Sequence, residues 1–306
     1  MAGFSALQPD VTVNYDAIGS GGGRTNFLEG AYPFAGTDAV LDDDEIAQAT
    51  ERCGGEPPMH LPLYISPIAV IYNLEGVDSL QLSPQTIAGI FNQEITNWND
   101  PEIAADNPGL ELPDLAISPV NRSDESGTTE NFLEYLSATA GDAWPHEVSG
   151  DWPVQGGQSG QGTSGVVQTV SGGNGTIGYA DASQAGDLGV ARIKVGEEYV
   201  EYSPEAAAAV VDASPRVDGA SEHDLAFELD RTSTEPGTYP IVLVSYTVVC
   251  PAYDDPEEAE LTKAFLGYIA SEDGQEQAAQ AAGSAPISDE LRTDVEAALD
   301  TVSSGS

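Results

Sequence analysis

A chain of 306 residues with 9 basic against 51 acidic side chains carries a formal net charge of −42. No basic face can be assembled from it to neutralise phosphates along a strand, so nucleic acid is excluded as a partner. Its 40% hydrophobic content argues against disorder and supports a full core over about two domains, no run of about eighteen apolar residues exists to span a membrane, and the acid excess reads as a solvated surface suited to high salt or to the outside of a cell.

Residues 11–15 alternate, with Val11, Val13 and Tyr15 on one face, and lead into Ile18-Gly19-Ser20-Gly21-Gly22-Gly23-Arg24. The pattern predicts a strand entering a glycine-rich turn, with a helix opening over residues 25–28. Glycine permits close backbone approach to a ligand, and Ser20 offers a hydroxyl and an amide. A tight turn needing positive φ explains the same glycines equally well. Residues 32–39 then form a short apolar strand closing on Asp38, which taken alone is a cap or turn residue. Asp42-Asp43-Asp44-Glu45 reads as the capped, acid-rich first turn of an amphipathic helix that runs to Arg52.

Residues 61–74 are a long apolar run, long enough for a strand that passes between two lobes. A helix with Ile87, Ile90 and Phe91 at helical spacing follows, and then a loop anchored by Trp98. Residues 115–120 form the next apolar run, residues 122–129 (Arg-Ser-Asp-Glu-Ser-Gly-Thr-Thr) a polar loop, and residues 130–138 a helix-like run. A helix start carries unpaired N–H groups and partial positive charge. With Ser126, Gly127, Thr128 and Arg122 beside it, an anion fits there. The plainer reading is that Ser126 only caps the helix and Arg122 lies on the surface.

Residues 141–165 are loop-rich. Within them Gly160-Gln161-Gly162-Thr163-Ser164-Gly165 matches the dinucleotide pattern G-x-G-x-x-G, but the residues before it are rich in Pro and Gly, so the expectation is a loop followed by a helix start. No G-x-x-x-x-G-K-[ST] and no G-x-S-x-G occurs. Residues 176–181 predict a short strand, 191–195 and 199–202 a hairpin, 203–213 an Ala-rich helix capped by Ser203, and 239–250 a second strand able to cross between lobes. Helices at 257–271, about 275–282 and 289–302 close the chain. Cys53 and Cys250, with His60, His146 and His223, have no metal-type spacing. In an extracytoplasmic protein the two cysteines most often pair; in a cytosolic one they are two unrelated buried thiols.

Three loops, at Ser20, at Asp38 and over residues 122–128, each end an expected strand, and open α/β sheets bind ligands at such ends. In that arrangement, and in Ile18-Gly19-Ser20-Gly21-Gly22, Phe34-Ala35-Gly36-Thr37-Asp38, the Asn-Trp-Asn-Asp loop at Trp98, Gly175-Thr176-Ile177-Gly178-Tyr179 and Tyr239-Pro240-Ile241, the chain resembles the phosphate-binding protein of the high-affinity phosphate ABC transporter. The resemblance implies an α/β, two-lobed periplasmic-binding-protein fold of the second class. Its first lobe would be residues 1–73 plus 243–306 and its second 74–242, with two crossovers and phosphate in the cleft. It also implies a phosphate ligand set of Ser20, Asp38, Arg122, Ser126, Gly127 and Thr128, supported by Gly19, Gly21 and Asp124, with Asp38 as the one acceptor. Neither catalysis, cofactor nor metal is implied.

The partners would be phosphate and a membrane permease, for a monomer working outside the cytoplasm, periplasmic or lipid-anchored at the cell surface. Cys53 and Cys250, both in the first lobe, would then be bonded. The family begins with a strand and a Gly-rich loop whose amides also touch phosphate, and then a helix ending much like Ala2-Gly3-Phe4. The expectation is therefore that this strand, part of the phosphate shell and a secretory or lipoprotein leader precede Met1. The competing readings are a phosphate-ester hydrolase, for which no nucleophile–base pair or two-metal carboxylate cluster is visible, and a surface protein without a transport role.

Overall fold

The computed structural model describes residues 1–304 and divides into two compact units. The first comprises Met1–Ile65, Ser214–Glu228 and the chain from Val244 onward; the second comprises Ser66–Ala213 and Leu229–Leu243. The stretch Ser214–Glu228 packs with the first unit although it lies within the span that the sequence gives to the second lobe. It is tied there by the Leu225 N–H donating to His60 O at 3.0 Å and by Asp224, which accepts from the His60 N–H at 2.9 Å.

Helix α1 (Ala2–Leu7) buries only Phe4, whose ring meets Phe265 edge-on at 5.2 Å. Residues 11–18 do not form the expected strand. Alternation selects a face only where a neighbouring strand and a core receive it, and here Tyr15 is exposed. Helix α2 (Gly19–Leu28) begins at Gly19 itself, at φ 82°, so the glycine run is helical rather than a turn before a helix. The reason is packing. A Cβ on Gly23 would stand 2.8 Å from the Gly36 carbonyl oxygen of strand β1 (Phe34–Thr37), and one on Gly22 would stand 2.9 Å from Ile18. Close approach outweighs the roughly 1 kcal/mol each glycine costs a helix interior.

Helix α3 (Asp43–Arg52) opens with a capping box in which Asp42 accepts from the Glu45 N–H at 2.8 Å and Glu45 accepts from the Asp42 N–H at 3.1 Å. Strand β2 (Met59–Asn73) runs 15 residues, buried almost throughout. It is followed by β3 (Gln81–Leu82), α4 (Pro84–Phe91), capped by Ser83 with Pro84 in its first turn, and α5 (Pro101–Asp106). Trp98, fully buried between α4 and α5, donates its indole N–H to Gly175 O at 3.0 Å.

Strand β4 (Ser118–Arg122) leads into α6 (Gly127–Thr139). Strand β5 (Gln158–Gly160), α7 (Gly162–Ser171), β6 (Thr176–Asp181), β7 (Gly189–Val190), β8 (Arg192–Val195), β9 (Glu198–Val200) and α8 (Pro204–Ala213) complete most of the second unit. Strand β10 (Val242–Val249) returns to the first, which closes with α9 (Pro256–Ala270), α10 (Glu272–Ala282) and α11 (Asp289–Thr301).

In the first unit β1 pairs antiparallel with β10, Phe34 opposite Val249 and Thr37 opposite Tyr246. Cys53, at the end of α3, and Cys250, just past β10, are joined by a disulfide across 197 positions of sequence. In the second unit β2 pairs antiparallel with β6, and β4 lies parallel to both β6 and β5. Strand β5 corrects the sequence reading, which expected a loop before the glycine pattern at Gly160. Its three residues carry no strand propensity, and partner geometry along Val120–Arg122 makes them a strand. Phe91, Phe132, Trp152 and Tyr179 form the aromatic heart of this unit, with Phe132 stacked on Tyr179 at 4.5 Å.

Candidate functional site

The residues singled out from the sequence fall into two groups, one in each unit. In the first unit, α2 lies against β1 so that the buried Ser20 reaches the residue just past the strand. Its hydroxyl oxygen accepts from the Asp38 N–H at 3.1 Å. Ser20 and Asp38, eighteen positions apart, are thus brought together. Gly19 supplies the positive-φ entry to the helix and Gly21 is buried beside Ser20.

Sequence reading missed Arg24, one helical turn beyond Ser20 and only 6% exposed. Its guanidinium Nη1 lies 3.5 Å from Thr37 Oγ1 and its Nε 3.0 Å from Glu45 Oε1. An arginine at i+4 from the site serine is the signal that would have found it, because both must face the same way.

In the second unit, β4 ends on Arg122, 6% exposed, and the turn after it carries Asp124. Arg122 donates Nε to Asp124 Oδ1 at 2.9 Å and Nη2 to Asp124 Oδ2 at 2.5 Å, a fork-to-fork pair that leaves Nη1 outside the clamp. Asp124 Oδ1 also accepts from the Gly162 N–H at 2.9 Å. Burial works against ionisation of this carboxyl, but the Arg122 hydrogen bonds and the Gly162 amide outweigh it and hold its pKa below the ordinary value. The same contact disposes of the dinucleotide pattern at Gly160. A strand does precede it, yet the start of α7 is occupied by this chain's own carboxylate where a pyrophosphate would bind.

Ser126 caps α6, its hydroxyl oxygen accepting from the Thr129 N–H at 3.3 Å. Gly127 and Thr128 are the first two helical residues, where amides have no acceptor within the helix itself. All three are buried, and Asn131 donates to Gly127 O at 2.8 Å to hold the turn. Tyr179 on β6 was named in the sequence only as part of a motif; here its hydroxyl accepts from the Arg122 N–H at 3.3 Å and shares a hydrogen bond with Thr129 Oγ1 at 2.7 Å. Burial lifts the phenol to about 12, against the pull of Thr129 and Arg122, so it remains a neutral strut between β4 and α6.

Each unit therefore presents small hydroxyl and amide groups at strand and helix ends. The second adds a buried, oriented guanidinium and the first a carboxylate. In the second unit the groups described suit a compact oxyanion, with donors in excess of acceptors. Among the described residues no group of three or more His, Cys, Asp or Glu is placed to hold a metal ion, and no helix is long and apolar enough to cross a membrane.

A profile of the PBP superfamily domain matches residues 1–273. Phosphate-binding protein PstS2 of Mycobacterium bovis is 38% identical over 308 residues, covering 96% of this chain and 80% of the relative. Phosphate-binding protein PstS 3 of Mycobacterium tuberculosis is 38% identical over 269 residues, covering 86% and 72%. Among solved structures, the high-affinity periplasmic phosphate-binding protein PfluDING, bound with phosphate, superposes with a TM-score of 0.76 at 21% identity, over 92% of this chain and 85% of that one. The phosphate ABC transporter substrate-binding protein from Clostridium perfringens, with bound phosphate, gives 0.65 at 21% identity, over 92% and 90%. The fold is the α/β, two-lobed periplasmic-binding-protein fold, and the chain belongs to the PBP superfamily and, within it, to the family of phosphate-binding proteins.

Proposed function

We propose that this chain binds inorganic phosphate and delivers it to the permease of an ABC transporter for import. It is a binding protein rather than an enzyme, works outside the cytoplasm as a monomer, and uses its two units as the two lobes. The observation that carries the reading is the Arg122–Asp124 clamp, which fixes a buried guanidinium beside the start of α6. In this reading Arg122, Ser126, Gly127 and Thr128 donate from one lobe, Ser20 donates from the other, and Asp38 accepts. Gly19, Gly21 and Asp124 shape and orient these groups.

An acid in an anion site is explained by the ligand's own proton. Two unit charges about 4 Å apart at an effective dielectric near 20 repel by roughly 4 kcal/mol, so a carboxylate is tolerated only if the ligand donates to it. Phosphate at neutral pH carries a hydrogen and sulfate carries none. Titration calorimetry should therefore give phosphate binding and rejection of sulfate, with arsenate competing far better than sulfate, and Asp38→Asn should narrow the gap because an amide can donate. Undiminished discrimination by that variant would remove Asp38 from the role. Turnover of p-nitrophenyl phosphate with Zn²⁺ or Mg²⁺, in the absence of calorimetric phosphate binding, would replace transport by ester hydrolysis.

A further inference from the structure

We propose that Arg24 is a positioning residue that sets oxyanion selectivity, keeping the segment of Asp38 in place and its carboxylate ionised. The inference rests on the reading of Asp38 as the acceptor for a protonated oxyanion.

The local geometry brackets Asp38 on both sides. Arg24 Nη1 lies 3.5 Å from Thr37 Oγ1; that hydroxyl donates to Ala39 O at 2.8 Å and lies 3.3 Å from the Ala39 N–H. The residues immediately before and after Asp38 are thus bound to one hydroxyl that the guanidinium approaches, while the Asp38 N–H is held by Ser20, one turn earlier on the same helix face as Arg24. Arg24 is anchored in turn by Glu45, whose two oxygens are divided between Arg24 Nε at 3.0 Å and the Asp42 N–H at 3.1 Å. Arg24 is 6% exposed and Thr37 1%, so this cation acts through a medium that screens it little.

Tyr15, on the extended segment before α2, feels the Asp38 charge, and Arg24, which contacts the residue before Asp38, is itself paired with Glu45 at the start of α3. Arg24 is the cation that these contacts bring to the segment of Asp38. Without that cation, proton uptake by Asp38 becomes easier. A protonated Asp38 donates a hydrogen bond, which is what an unprotonated oxyanion lacks in the native site. Selectivity against sulfate would then fail, and fail increasingly as pH drops.

Sulfate makes the test clean because it stays fully ionised across the working range, so any pH dependence of its binding reports a group on the protein. Calorimetric titrations of the whole chain with phosphate and with sulfate, at about pH 8, 7 and 6, should show sulfate binding that is negligible and flat in the unsubstituted protein. In Arg24→Gln, sulfate affinity should rise with falling pH, approaching about tenfold per pH unit while Asp38 is still mostly ionised and levelling off once it is protonated. Arg24→Lys, which keeps the charge, should restore the flat profile. A merely structural role would lower the melting temperature of both variants and leave sulfate rejected at every pH. If Arg24→Gln does not fold, Thr37→Val removes the contact and leaves every charge in place, and it should show a weaker form of the same pH dependence. A flat sulfate profile in a folded Arg24→Gln or Thr37→Val chain that still binds phosphate overturns the role of Arg24 and leaves the phosphate reading standing. Absence of phosphate binding in the unsubstituted chain removes both.

Discussion

Asp124 shows how much one side chain can organise. It receives both arms of Arg122 and the first amide of α7, joining β4, the loop after it and α7 through two oxygens. Because its folded-state pKa lies below the ordinary carboxylate value, the folded chain binds fewer protons there than the unfolded one. The stability this supplies is complete above the unfolded value of about 4 and is lost as pH falls through the lower folded value. Asp124→Asn should cost about 1–3 kcal/mol in urea unfolding at pH 7, because it leaves a buried guanidinium with a weaker partner. The difference from the unsubstituted protein should shrink on approaching about pH 3. A gap that stays constant from pH 7 to that limit would show that the carboxylate's charge is not what stabilises.

At the scale of elements, two glycines separate helix propensity from packing. Alanine is a better helix former than glycine by about 1 kcal/mol, so Gly267→Ala in α9, where an added Cβ meets nothing within 4 Å, should raise stability by roughly that amount. Gly23→Ala in α2 places the same methyl 2.8 Å from a backbone oxygen of β1. Overpacking against backbone costs typically 1–3 kcal/mol, enough to outweigh the propensity gain, so this variant should melt lower. Equal shifts in the two melting curves would mean that α2 can slide on β1 without cost.

The glycine run was legible in the sequence as a place of close approach but not as a helix, because the approaching backbone is β1, which the chain reaches only at Phe34. Strand β5 was hidden for a related reason. Its strand character comes from pairing with Val120–Arg122 and not from its own residues. Residues 11–15 failed in the opposite direction, with a period that found no ladder among the described residues to use it. The elements read correctly, β2, α3, α4, β6, α8 and the closing helices, are those whose apolar period, caps or length identify them without a distant partner. The same division holds for the candidate site. Ser20, Asp38 and the residues 122–128 announced themselves through local motifs, whereas Arg24 and Tyr179 depend on which strand each helix lies against.

For the whole molecule, covalent and electrostatic terms oppose each other. The Cys53–Cys250 bond closes a loop of 197 positions, for which chain-entropy reasoning gives about 5 kcal/mol of stabilisation. Reduction should therefore lower the unfolding free energy by several kcal/mol, and a reduced protein with an unchanged urea midpoint would contradict that account. Against this stands the net charge of −42, spread over a surface of 14009 Å². That is one net charge per roughly 330 Å², a mean spacing near 18 Å, to be set against a Debye length of about 30 Å at 10 mM salt and about 8 Å at 150 mM. At low ionic strength each surface acid therefore feels many like neighbours, and compaction brings them closer than in the unfolded chain. The few ion pairs do not reverse the sign, since only nine basic residues are available and three of them, the buried Arg122, Arg231 and Arg24, are already committed to Asp124, Glu134 and Glu45. The melting temperature should thus rise steeply between about 10 and 150 mM sodium chloride and flatten above it, where screening is shorter than the charge spacing. Chloride is the salt to use, because sulfate strengthens apolar burial by surface exclusion and would mimic the effect. A melting temperature that is flat or falls over that interval would mean that the acidic surface is solvated well enough at low salt for its self-repulsion not to reach the folded state.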